Sequence, residues 1–479
     1  MNAFGIIGGV IVFSAGLWHF CMAAEGPSVP GRGVKMVQSE MMRNVLNYGA
    51  KGDGKTKDTA AIQAAVNAGG MVYFPPGTYL SGSIYLKSHG GLHLAPGAVL
   101  LMSPDMEDFN KADFVPWNYK TPSEYSQGKH LLIAVEKEDI TICGGGTIHG
   151  NDMAFMNPDD PIKELMVGIY NVKPCGKPGQ MLYFCLSRNI TIRDVNIEHS
   201  SYWHCFLHGC TDVLISKVRI RGDHKVNTND GIDIDCCKNV IVSECIIDTA
   251  DDAIAIRGNS KRLQDRAQKC ENILVSNCIL NASYACAVRV GVGDGEIRNC
   301  ILDNIIVPYA GTAILIQSRY SEASKGTSIQ DISFSRWKVL DSKRPLKIVH
   351  ETFKAKDPNR KPIEGLTFSD MDLCGKRTIF IQGNGVGPFG NFTFRNIAMK
   401  YAGCGTHPEV DPLTGWFGHF STDSVFEIRN ARDVELNNIK ISLSGSGWNQ
   451  VLNTQNVPGM LITHIYAPIP VMKTGNKTK

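Results

Sequence analysis

Asn227-Thr-Asn-Asp-Gly-Ile-Asp-Ile-Asp-Cys-Cys-Lys-Asn-Val240 opens a stretch that runs on through Ile241-Val-Ser-Glu-Cys-Ile-Ile-Asp-Thr-Ala250 and closes on Asp251-Asp-Ala-Ile-Ala-Ile-Arg257. Ile232, Ile234, Ile254 and Ile256 alternate with polar positions, the period of a strand with one buried face. The acidic residues therefore sit inside β-type patterning and not on a solvated charge run. Asp230 and Asp251 are 21 residues apart, within the range of stacked-repeat proteins. If each repeat is one coil, the two clusters lie on neighbouring coils, roughly 4.8 Å apart. Turns alone account for many Asp-Gly and Asp-Asp pairs. Three Asp brought to one turn by a repeat point instead to acid/base chemistry, since paired carboxylates hydrolyse glycosidic bonds.

The segment between the two clusters recurs. It appears at Asn189-Ile-Thr-Ile-Arg-Asp-Val-Asn-Ile, Asp212-Val-Leu-Ile-Ser-Lys-Val-Arg-Ile, Asn239-Val-Ile-Val-Ser-Glu-Cys-Ile-Ile and Asn272-Ile-Leu-Val-Ser-Asn-Cys-Ile-Leu. Further copies begin at Asp331, Asn391 and Asp433. A leading Asn or Asp turns the chain, two apolar residues point inward, two polar residues bend it, and apolar residues resume. The first four starts are spaced by 23, 27 and 33 residues, so the connecting loops vary while the unit does not. Helical patterns are missing between the units, which argues against a βαβ architecture. The pattern is that of an all-β, single-stranded parallel β-helix.

Ahead of the repeats, Asn44–Gly70 reads as a strand, a Gly-rich turn and a short helix. Asp58 is placed to cap that helix, Ile62, Ala65 and Val66 form its apolar face, and Gly69 stops it. The helix is expected to lie over the open end of the solenoid, which otherwise exposes core and strand edges. Residues 1–24 read as an export signal ending in small residues, 25–43 as a lead-in, 44–470 as one β-helix domain and 471–479 as a tail. A secreted or periplasmic monomer is the expectation. Longer excursions at 104–127, 158–179, 354–362 and 404–421 are expected to wall a groove, where Trp117, Tyr119, Trp203 and Trp416 could stack on sugar rings.

With 43% hydrophobic and 20% charged residues and a net charge of +3, the chain has an ordinary globular composition. That mild charge excludes the electrostatic signature of a nucleic-acid protein. Fifteen Cys is an odd number and too sparse for a disulfide scaffold. Cys245, Cys278 and Cys300 occupy similar sequence contexts and read as one ladder of buried thiols packing as small hydrophobes. Cys236 and Cys237 are adjacent and lack chelating spacing, so no metal or other cofactor is expected.

At Asp230-Gly-Ile-Asp and Asp251-Asp-Ala-Ile-Ala-Ile the sequence resembles glycoside hydrolase family 28, the polygalacturonase and rhamnogalacturonase group. Tyr48-Gly-Ala-Lys-Gly-Asp-Gly54 and the Gly291–Asn299 stretch ending in Glu-Ile-Arg-Asn carry the same resemblance, which covers the chain after the signal. It implies a right-handed, pectin-lyase-like solenoid and metal-free hydrolysis with inversion. By position Asp251 matches the general acid, and Asp230 and Asp252 the pair that activates water. Crowding of three carboxylates should raise at least one pKa, and inversion calls for roughly 6.5–9.5 Å between acid and base. The sequence departs from the family where Gly-His-Gly falls on Tyr284-Ala285-Cys286 and Arg-Ile-Lys falls on Leu315-Ile316-Gln317. The family's Asn-Thr-Asp is here Asn-Thr-Asn-Asp.

Arg257, on the Asp251 face of its strand by alternation, and Arg289, on the next coil, are the replacement cations for a substrate carboxylate. Trp203 and His208 come from the preceding coil, and His208 could supply the missing imidazole. The implied activity is hydrolysis of a pectic or related acidic polysaccharide. Two alternatives remain: a polysaccharide lyase, which would want calcium and a basic residue, and a carbohydrate-binding β-helix that has lost catalysis.

Overall fold

The computed structural model describes residues 42–111, 128–162, 168–260, 263–319, 326–350, 361–402 and 421–472. The 1–24 stretch read as an export signal, most of the 104–127, 354–362 and 404–421 excursions, and with them Trp117, Tyr119 and Trp416, lie outside the described residues. The repeat copies form strands that stack coil upon coil in a 32-stranded sheet, with every pairing in it parallel. One coil illustrates the plan: Cys205–His208, Thr211–Ser216 and Arg219–Arg221 form three successive walls. They pair in register with Ile232–Asp235, Lys238–Ser243 and Ile246–Thr249 of the next coil. The expected parallel β-helix is the observed fold.

The sharp corners have a specific cause. Asn189, Asp212, Asn239, Asn272, Asp331, Asn391 and Asp433, the residues that lead the repeat copies, all have φ between 52° and 59°. That left-handed region is costly for most L-residues, and Asn and Asp tolerate it best. The side chains then add a ladder, since Asn272 Nδ2 donates to Asn239 Oδ1 and Asn239 Nδ2 to Asp212 Oδ1, both at 2.9 Å. The two bending residues of each unit contain a second left-handed corner, at Glu244, Asn277, Asn304, Asn396 and Asn438.

These two kinds of corner look alike in sequence, and that corrects the cysteine ladder. Ser243 pairs with Ser276 and Ile246 with Ile279, which stacks Cys245 on Cys278. Cys300 instead pairs with Ile273, because its preceding Asn299 is a leading corner, aligned with Asn272. All three thiols are buried, and the thirteen described cysteines are free. Inside the solenoid, Phe334, Phe368 and Phe394 stack nearly parallel at 5.0 and 4.8 Å, the spacing set by adjacent strands.

The helix spans Thr59–Asn67 and buries Ile62, Ala65 and Val66 against the first coils. Gly69, at φ 79°, follows its end. Asp58 does not cap the helix with its side chain. Its carboxylate accepts from the Lys51 and Gly52 N–H groups at 2.7 and 3.0 Å, so it closes the Gly-rich loop instead. Two loop donors compete better for one carboxylate than a helix end that can meet water.

Candidate active site

Asp230 and the Asp251-Asp252 pair occupy turns that stack directly on one another. The Gly231 N–H donates to Asp252 O at 2.9 Å, and the next strand residue, Ile232, donates to Ala253 O. A Cβ on Gly231 would sit 2.4 Å from Ala253 O, so glycine at this point lets the two turns close up. Asn229 holds them together: its Oδ1 accepts from Ala250 N and Asp251 N at 2.9 and 3.2 Å, while its Nδ2 donates to Asp223 O. The extra Asn in Asn-Thr-Asn-Asp is thus a clamp between coils. That altered motif was its only sequence signal.

Oxygens of Asp230, Asp251 and Asp252 all lie within 4.8 Å of one another. Burial drives the Asp251 carboxyl up to about 8, the charge of Asp252 adds to this, and Arg289 and Lys177 oppose it. Burial likewise holds Asp230 well above the usual carboxylate range, with Asp251, Asp233 and Asp252 pushing the same way against Arg257. Asp252 is gripped from two sides, by Cys286 N–H at 3.1 Å and by Arg289 Nη1 at 3.3 Å. Asp230 and Asp251 titrate together, and the pair retains a proton at neutral pH that solvated carboxyls would lose.

That retained proton has a sign in stability. The Asp251 pKa is raised in the folded state, so the folded protein holds more protons than the unfolded chain between 3.8 and about 8. Stability is then fully present below the lower value and falls as pH rises through the window, by about 1.4 kcal/mol per pH unit for one proton. Urea midpoints measured between pH 5 and pH 8 are expected to decline accordingly, and Asp251→Asn is expected to flatten the decline. A slope unchanged in the variant would mean that Asp251 does not hold the proton.

The predicted cations have different situations. Arg289 reaches the triad through Asp252. Arg257 is 3% exposed, with Nη1 3.5 Å from Asp233 and Nε 3.4 Å from Asp235, and the Trp203 ring lies 4.6 Å over its guanidinium. Strand pairing puts Arg257 opposite Asp235, so Arg257 turns toward this second acidic pair and not toward Asp251. Trp203 is itself buried, stacked on Tyr202 and edge-on to Phe206. His208 stacks on Phe206 and pairs with Asp235 in register. The imidazole bonded to the triad's backbone is His204: its Nδ1 donates to Asp230 O at 2.9 Å and its Nε2 accepts from Ser200 N at 3.3 Å. Burial pushes it down to about 4, so it is neutral and positions the turn. Lys177, in the 158–179 excursion, also approaches the acids, and nothing in its sequence context marked it.

Residues 111–408, well over half of the chain, match the family model described as glycosyl hydrolases family 28. The chain belongs to glycosyl hydrolase family 28. Residues 42–93 also match the model described as rhamnogalacturonase A/epimerase, pectate lyase-like. Among similar proteins are a probable polygalacturonase of Vitis vinifera, 27% identical over 45% of this chain and 44% of its own length, and an exopolygalacturonase of Cochliobolus carbonum, 25% identical over 66% of this chain and 78% of its own. The chain spans about half the length of the grape protein and other such curated relatives it matches. The family 28 exopolygalacturonase of Yersinia enterocolitica shares the fold, with a TM-score of 0.67 at 18% identity over 87% of this chain and 78% of that one. Ala285 and Leu315, on which the resemblance places the family's histidine and arginine, are apolar in this family 28 chain. Ala285, Cys286 and Leu315 form a small buried cluster with Tyr284 packed against it, beside the carboxylate of Asp252.

Proposed function

We propose that the protein is an exported glycoside hydrolase that cleaves bonds in a pectic or related acidic polysaccharide. Asp251 is the general acid, and Asp230 with Asp252 draws the proton from the attacking water. One observation carries the reading: three carboxyls converge where two stacked turns meet, and burial there pushes Asp251 up to about 8. A general acid must hold its proton at working pH, and its efficiency is greatest when its pKa lies near that pH. Arg289, bonded to Asp252, keeps that carboxylate oriented while the proton state of its neighbour changes. Family membership supports the reaction class, and the names of the relatives support a galacturonate-containing substrate.

We propose inversion of configuration, as the family resemblance implies. Inverting enzymes hold their acid and base carboxyl groups roughly 6.5–9.5 Å apart and retaining enzymes roughly 5–5.5 Å; here one oxygen of each carboxyl lies within 4.8 Å of the others. The close approach of those oxygens gives a second reading, in which one carboxylate attacks the sugar directly. Product stereochemistry separates them. Proton NMR of the first-formed reducing end is expected to show the anomer opposite to that of the substrate bond, and a retained anomer would establish the covalent route. The same digestion, run with and without chelator on a pectic glycan panel, is expected to yield reducing ends and no ultraviolet-absorbing unsaturated product. Unsaturated product lost on chelation would mean a calcium-dependent lyase, and binding without cleavage would mean an adhesin.

A further inference from the structure

Lys173-Pro-Cys-Gly-Lys-Pro-Gly179 carries Lys177 to the edge of the acidic triad. A cavity of about 230 Å³ opens there, lined by Lys129, Lys177, Tyr202, Thr228 and the backbone of Gly128 and Gly179. Lys177 is half-buried and held in two ways: Nζ donates to Thr228 Oγ1 and lies 5.0 Å from the centre of the Tyr202 ring. Thr228 belongs to the same turn as Asp230. Among the described residues that line it are two lysines and no acidic side chain.

We propose that this cavity is a subsite for a single sugar ring bearing a carboxylate, with Lys177 as its specificity-determining residue and Lys129 in support; the proposal rests on the hydrolase reading above. Three observations support it. First, the two arginines closest to the acids are engaged internally, Arg257 with Asp233 and Asp235 and Arg289 with Asp252. Second, the Lys177 hydrogen bond goes to a neutral hydroxyl, and among the described residues no carboxylate lies within ion-pair distance of it. A half-buried ammonium without a counter-ion is costly, and a carboxylate entering the cavity would offset that cost. Third, the Tyr202 ring gives the cavity an aromatic wall, the surface that sugar C–H faces pack against. Burial lowers Lys177 to about 8 while Asp251 and Asp230 pull the other way, so the amine is mostly charged at neutral pH.

A bland alternative is that Lys177 only pins its loop to Thr228. The deciding experiment is calorimetric binding of free galacturonate and free galactose, neither of which has a glycosidic bond to cleave. The wild type is expected to bind galacturonate about 10-fold or more tightly than galactose, the worth of one charge-assisted hydrogen bond. Lys177→Met should bring the ratio close to one, and Lys177→Arg should retain most of it. In the wild type, and equally in Asp251→Asn where the neighbouring acid can no longer ionise, the preference should weaken as pH rises through about 8, a readout that holds even if the methionine variant misfolds. Equal binding of both sugars by the wild type, or a preference that survives both Lys177→Met and high pH, overturns the proposal. Cleavage of the glycan panel is scored separately. Preference without cleavage sinks the hydrolase reading and leaves the subsite standing, while cleavage without preference does the reverse.

Discussion

Asp251→Asn is expected to lower kcat on a pectic glycan by about 10²–10⁴-fold while leaving the fold in place. Asparagine is nearly isosteric, its amide oxygen can still accept from Asp252 N–H, which bonds Asp251 at 3.0 Å in the native turn, and it is uncharged like the protonated carboxyl it replaces. Only the transferable proton is lost. The wild-type rate should fall at high pH as the acid ionises near 8, and the residual activity of the variant should lack that limb. The measurement is a pH–rate profile for both proteins on the same substrate. Near-normal turnover by the variant would remove Asp251 from the mechanism. A substrate with a good leaving group, which needs no protonation, should restore much of the rate.

Arg257→Leu is expected to destabilise the protein by about 3–5 kcal/mol, because it leaves Asp233 and Asp235 buried with their shared guanidinium gone. Both carboxylates are essentially inaccessible, so water cannot take over the role. Trp203 loses its cation as well. Urea unfolding would show a lower midpoint, and adding Asp233→Asn and Asp235→Asn to the same variant should recover part of the loss. Activity should decline equally on an acidic oligosaccharide and on its carboxyl-reduced counterpart. A selective rise in KM for the acidic substrate, with stability unchanged, would instead make Arg257 a reader of substrate charge.

Most of the repeat was legible because its signals are local. A residue that must sit at φ near 55° selects Asn or Asp whatever surrounds it, and the apolar residues beside it must alternate to face one core. The leading corners from Asn189 to Asp433 could therefore be read off one by one. The Cys300 register could not. Two kinds of corner use the same polar residues, and only pairing with the neighbouring coil shows which kind a given Asn makes. Asp58 was ambiguous for a similar reason: a carboxylate ahead of a helix can serve either the helix or the loop before it, and the loop offered two donors.

By itself the sequence determined the β-helix, the helix at its end, and the meeting of Asp230, Asp251 and Asp252, since each follows from a period of one coil and from turn chemistry within a few residues. Tertiary structure alone decided which cation serves which acid. Alternation tells which side of a strand Arg257 occupies, but its partners Asp233 and Asp235 lie on the adjacent coil, and the roof over it is Trp203, two coils away. Lys177 is the extreme case: it reaches the acids from a loop whose path the repeat does not govern. Charge–charge energies depend on distance and burial, and both are properties of stacked coils that no local stretch of sequence contains.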